Sequence, residues 1–154
     1  MSTQWEVGTK HTGTLVEGLT RSQIVQYAGA SGDFNPIHTD EVYAREAAGL
    51  PSVFGHGMLT MGLCGSFLQS LVGPPALRTY RARFVEKVWP GDSLKAVATV
   101  LERRESELGL EVHLDLAVTN QDESVVLTGS ATALFVPTPS STESNTDRSE
   151  LPHA

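Results

Sequence analysis

Cysteine is almost missing from this chain. Cys64 stands alone, so no disulfide can form within the chain, and this usage fits a reducing compartment. Positive charge is scarce too: 11 Lys and Arg face 18 Asp and Glu, for a formal net charge of −7. Nucleic-acid binding needs clustered basic residues, so it is excluded as the main function. A local basic patch that holds an anionic small ligand is not excluded. Long apolar runs are lacking. The most apolar stretch, Met58 to Val72, falls short of the roughly 20 residues that cross a bilayer, and it carries Gln69. The start, MSTQWEVGTKHTGT, has no apolar core of signal-peptide type. There is no cysteine pair, no HExxH and no GxGxxG, so neither a metal nor a redox cofactor is implied. The expectation is a cytoplasmic protein that engages neither membrane nor nucleic acid.

What is present is an ordinary globular mix, 40% apolar and 19% charged in 154 residues, enough for one domain with a real core. From Pro137 onward Leu151 is the only large apolar side chain. The domain is therefore expected over residues 1–136, and 137–154 is expected to be a disordered polar tail.

Leu15-Val16 and their neighbours suggest a short first strand. Thr20 and Gln23 have capping-box spacing, and Ile24, Tyr27 and Ala28 share one helical face. Gly29 and Gly32 should end that helix just before Asp33. In DFNPIH, Pro36 lacks an amide hydrogen and pushes Asn35 towards extended geometry, so a turn is expected. Asp40 is placed to cap a short helix that ends at Gly49. Met58 to Val72 is apolar on nearly every face and predicts a helix buried on most sides. Gly73 and Pro74-Pro75 end it.

From there the period changes. Segments 79–88, 93–104, 110–120 and 124–136 read as four strands. Val97, Thr99 and Leu101 alternate, as do Val112, Leu114 and Leu116. Pro90-Gly91-Asp92 and Asn120-Gln121-Asp122 supply turns. Consecutive strands on short turns predict an antiparallel meander. The fold class is α+β, a curved antiparallel sheet wrapped around one central apolar helix.

Three blocks carry a family resemblance. Tyr27 to His38, YAGASGDFNPIH, resembles the signature of the MaoC-like hydratases and dehydratases. Ala48-Gly49-Leu50 with His56-Gly57-Met58-Leu59 resembles their second block. Phe84 to Leu94, FVEKVWPGDSL, resembles the strand–turn–strand after the central helix. The resemblance covers about Ser22 to Val136. It implies a hot-dog fold and an (R)-specific hydratase of 2-enoyl thioesters, or dehydratase of 3-hydroxyacyl thioesters. It also implies no cofactor beyond coenzyme A or acyl-carrier protein as the substrate's carrier. Asp33 and His38 stand at the catalytic positions, and Gly57 at the position whose backbone N–H meets the thioester oxygen. A homodimer, or a heterodimer with another hot-dog chain, is implied, with the sites close to the interface.

The residue types suit that chemistry. Hydration needs a base for water, a proton source for Cα and a donor for the thioester oxygen. Asp33 and His38, five residues apart across a turn, can aim a carboxylate and an imidazole at one water. Taken alone, DFNPIH would be only an Asx-type turn with a histidine packed beside it; the full signature favours catalysis. Gly57 should open the apolar helix, where free amides and the dipole present positive charge. A glycine needed for loop-to-helix geometry would look the same, and both roles can hold.

Asn35 is expected to support the turn, with direct substrate contact the less favoured alternative. His56 is expected to shape the loop rather than to act in catalysis. His11, His113 and His153 have no constellation around them, and Cys64 is expected in the core. Some relatives carry a serine facing the site within the central helix. Gly65 stands at that position here, beside Ser66, so a polar helper is missing. Arg78, Arg81, Arg83 and Lys87 form a basic run. Arg81 and Arg83 share a face if alternate residues point outward, and they are candidates for the carrier's phosphates; a solvated strand face is the plainer reading of either one. Two other functions compete: a subunit of a heterodimeric dehydratase that needs a partner chain, and a hot-dog acyl-CoA thioesterase.

Overall fold

The computed structural model describes residues 3–137. One helical turn, Thr3–Trp5, leads into β1 (Lys10–Val16), α1 (Arg21–Ser31), α2 (Pro36–Thr39), α3 (Gly57–Val72), β2 (Leu77–Phe84), β3 (Leu94–Ser106), β4 (Gly109–Thr119) and β5 (Val125–Phe135). All five strands form one antiparallel sheet in the order β1-β3-β4-β5-β2. It wraps around α3 in the hot-dog arrangement. The stretch expected to be a disordered tail lies outside the described residues, Pro137 excepted.

The strands show why the sheet has one wet and one dry face. Leu94, Ala96, Ala98 and Val100 of β3, Val112, Leu114, Leu116 and Val118 of β4, and Leu127, Ala131 and Ala133 of β5 are all buried. Their period of two puts them on a single face. The registers Ala98↔Leu116 and Leu114↔Ala131 hold those rows opposite one another. In β3 the dry row is the alanine row, not Val97, Thr99 and Leu101. The small alanines leave room for α3.

Helix α3 lays Thr60, Cys64, Leu68 and Val72 against that face. Their spacing of four residues makes one stripe. Fully burying a side chain such as Leu68 contributes roughly 1.5–3 kcal/mol. The expectation that this helix is buried on most sides is not met. Met58, Gly62, Ser66, Gln69 and Ser70 are exposed because the sheet of one chain covers one side only.

The meander is also only partial. The strands β3, β4 and β5 follow one another, but β2 pairs with β5 at the far edge, and β1 pairs with β3. The Pro90–Asp92 turn is therefore part of a crossover, not of a hairpin. Strand β2 stops at Phe84, short of the expected Val88, because Val85 to Val88 turn in beneath the loop that precedes α3. There the Val88 carbonyl accepts the Gly55 N–H at 2.8 Å.

Candidate active site

Helix α1 starts as its spacing predicts. The Thr20 side chain accepts from the Gln23 amide and the Gln23 side chain reaches back to the Thr20 amide, a complete capping box. Gly32 ends it in the left-handed conformation, with φ of 76°. That stop turns Asp33 out of the helix. The Asp33 Oδ1 then accepts the Asn35 amide at 3.2 Å, and the Asn35 Oδ1 accepts the Ile37 amide at 3.2 Å. The turn is of the Asx type, as its residues allow, and it runs on into a one-turn helix that the sequence did not announce. Pro36 sits at its first position, where no amide hydrogen is needed. This turn carries His38 inward. Asn35 supports the turn as expected. Asp40 caps the following segment, its Oδ1 accepting from the Val42 and Tyr43 amides; Tyr43–Ala47 then forms a widened π turn.

The Asp33 carboxylate and the His38 imidazole converge. One ligand-capable atom from each of Asp33, His38 and His56 lies within 4.8 Å of the other two. The His38 Nδ1 lies 2.6 Å from the Phe54 carbonyl oxygen. A carbonyl can only accept, so Nδ1 carries the proton and neutral His38 keeps its Nε2 lone pair free. His38 is buried and the Asp33 side chain is about half exposed. Burial is the largest influence on His38 and holds its pKa below the ordinary 6.5. The hydrogen bond to Phe54 opposes that shift, His56 adds to it, and Asp33 opposes it.

His56 does more than shape a loop. Its ring is 2% exposed and stacks on His38, with centroids 3.9 Å apart and planes 27° from parallel. Tyr27 packs on it at 5.0 Å. The His56 Nε2 donates to the Asp33 carbonyl at 3.0 Å and lies 3.9 Å from the Asp33 carboxylate. One side chain thus touches both members of the pair and is joined by a peptide bond to Gly57. A lone histidine before a helix gave no periodic signal of this; its place next to Gly57 was the only clue.

Gly57 is the first residue of α3. Among the described residues no acceptor takes its N–H. A Cβ there would come within 3.2 Å of the Phe84 ring, so glycine also answers a close approach. A pocket of about 310 Å³ opens at this point. Phe54, Gly57, Thr60, Phe84, Lys87 and Val126 are among its walls. Asp33 and His38 are not on those walls. His38 adjoins them through Phe54, whose carbonyl holds it and whose ring packs 4.7 Å from the imidazole; Asp33 is tied to the pocket's edge only through His56, the residue before Gly57.

Arg81 and Arg83 share a face, but not the face of the pocket. The β2 residues that face α3 are Tyr80, Ala82 and Phe84, opposite Ala131, Gly129 and Leu127. Alternation sends Arg81 and Arg83, both exposed, to the outer side. The cation on the pocket wall is Lys87, whose Nζ lies 5.6 Å from the Phe54 ring centroid. Cys64 is in the core, where burial pushes its thiol pKa up. Gly65 packs beneath the Tyr80 ring, and the Tyr80 hydroxyl donates to the Met61 carbonyl at 3.1 Å.

A curved antiparallel sheet around one apolar helix, with Asp33, His38 and His56 gathered next to the start of that helix, is the architecture of a hot-dog protein. The model of the MaoC like domain matches residues 3–121. The chain belongs to this family.

The 3-hydroxyacyl-thioester dehydratase Y of Mycobacterium tuberculosis (strain ATCC 25618 / H37Rv) is 32% identical over 95 residues, covering 60% of this chain and 33% of that protein. The chain thus spans about a third of that relative's length. The unliganded R-hydratase PhaJ1 from Pseudomonas aeruginosa superimposes with a TM-score of 0.72 at 29% identity, over 86% of this chain and 82% of that one. The ChsH1–ChsH2 complex from Mycobacterium tuberculosis shares the fold, with a TM-score of 0.70 at 18% identity over 84% of this chain and 97% of that one.

Proposed function

We propose that this protein hydrates 2-enoyl thioesters, and in reverse dehydrates (R)-3-hydroxyacyl thioesters, carried on coenzyme A or on an acyl-carrier protein. The observation that carries the reading is the convergence of Asp33 and His38 on the chain segment that leads to the Gly57 amide and its pocket. The names of the dehydratase and R-hydratase relatives support the reaction class and its stereochemistry.

The His38 Nε2 holds a water and Asp33 takes its proton. The hydroxide oxygen bonds to Cβ. Charge then moves to the thioester oxygen, which the Gly57 N–H stabilises. A donor of this kind contributes about 2.7–4 kcal/mol in acyl-transfer sites. The pair returns a proton to Cα, and the dehydration direction reverses each step. No resident cofactor takes part.

The active unit is a dimer of hot-dog chains. Phe34, Met58, Phe84 and Val85 are large, apolar and 47–65% exposed around the pair and the pocket. A partner chain that covers them would complete the site.

A stereospecific assay with crotonyl-CoA tests the reaction. Asp33→Asn and His38→Ala should each lower kcat by roughly 100- to 10,000-fold with the fold retained by circular dichroism. Activity that survives both changes together overturns the assignment. Release of free thiol without hydration would make the protein a thioesterase.

A further inference from the structure

One side chain on the pocket wall is polar, buried and without a partner. Thr60 is 4% exposed and lies one helical turn after Gly57, and both residues line the same pocket. Phe84, Val88 and Val126 are the apolar walls around it. A threonine within a helix ordinarily returns its hydroxyl to the carbonyl of the preceding turn. The other hydroxyls of α3 do so: Ser66 donates to the Gly62 carbonyl at 3.1 Å and Ser70 to the Phe67 carbonyl at 2.8 Å. Among the described residues Thr60 makes no such bond. The carbonyl it would use, that of His56, already receives the amides of Leu59 and Thr60 at 3.1 and 3.4 Å.

The residue is buried, yet its hydroxyl is not among the polar atoms sealed inside the described residues, so it opens onto the pocket without a protein acceptor; valine of nearly the same shape would fill the same place without a polar group to satisfy. Side chains on a helix lean towards its N-terminus, which tilts the Thr60 hydroxyl towards the Gly57 end of the pocket.

We propose that the Thr60 hydroxyl is a second donor to the acyl thioester, placed one turn behind the Gly57 N–H and bonding the same carbonyl oxygen. It is the ligand, not the fold, that satisfies this group. The inference rests on reading the pocket as the thioester site. Thr60 is then a catalytic residue in the strict sense, because it touches the atom on which charge develops. Hydrogen bonds to charged groups are the stronger kind, so loss of this one should reach roughly 10- to 100-fold in kcat/KM.

The test uses Thr60→Val, which removes the hydroxyl, and Thr60→Ser, which keeps it. With crotonyl-CoA, Thr60→Val should lose that factor while its melting temperature equals or exceeds that of the unmodified protein. Thr60→Ser should recover most of the lost activity. Unchanged kinetics in Thr60→Val overturn the proposal. So does an activity loss matched by a fall in melting temperature and equal in both variants. If Thr60→Val does not fold, Thr60→Ala takes its place in the comparison.

A chain that turns over neither crotonyl-CoA nor 3-hydroxybutyryl-CoA removes the hydratase reading but not this one. Binding of butyryl-CoA, which cannot be hydrated, then decides. Weaker binding by Thr60→Val than by Thr60→Ser supports the contact. Equal binding by the two variants, or no binding by the unmodified protein, ends it.

Discussion

Each member of the candidate pair depends on a different neighbour for its state. His38 is aimed by the Phe54 carbonyl and backed by the His56 ring; Asp33 is held by its own turn. Burial favours neutral His38, so the acidic limb of a kcat/KM profile should fall below pH 6.5. A limb above that value would mean that another group controls the reaction. The same shift bears on stability. The folded chain binds this proton less readily than the unfolded chain does. Its contribution is therefore complete above about pH 6.5, declines as pH falls towards the lowered pKa, and levels off beneath it. At this scale Asp33, His38, Asn35 and Gly57 were legible because one short turn and one helix start place them. His56 was not, because its partners lie across loops: the Asp33 carbonyl is 23 residues away in the chain.

At the scale of elements, spacing carried most of the information. The Thr20–Gln23 box, the stop at Gly32 and the full length of α3 all follow from local rules. Removing the cap with Thr20→Ala should cost about 1 kcal/mol, read as a lower denaturation midpoint at unchanged slope. No change would mean that α1 is held by packing alone. Periodicity misled where two elements met. In β3 it marks two rows equally well, and only the approach of α3 decides that Ala96 and Ala98 are the dry one. It also extended β2 through Val88, because Phe84, Val85 and Val88 read as strand residues whether they pair or wall a pocket. Arg81 and Arg83 were placed correctly with respect to each other, yet the face they share is turned away from the pocket.

Among the described residues two sheet edges, β1 and β2, and the outer side of α3 are left open. Exposed Phe34, Met58, Phe84 and Val85 lie beside the candidate site, an arrangement that a lone chain would not hold in water without cost. Light scattering on the purified chain should give twice the chain mass of 16.5 kDa, with turnover present at that mass. A single-chain mass with no turnover would point to a different partner chain.

By itself the sequence determined what short-range chemistry can encode: where helices begin and stop, which segments alternate, and that a carboxylate and an imidazole leave one proline-bent turn together. The tertiary structure alone decided which strand neighbours β2, which face of β3 is dry, and that His56 joins the pair. It alone decided that Thr60 opens onto a pocket. Those outcomes depend on how distant segments share one volume, and residue spacing carries no measure of that volume.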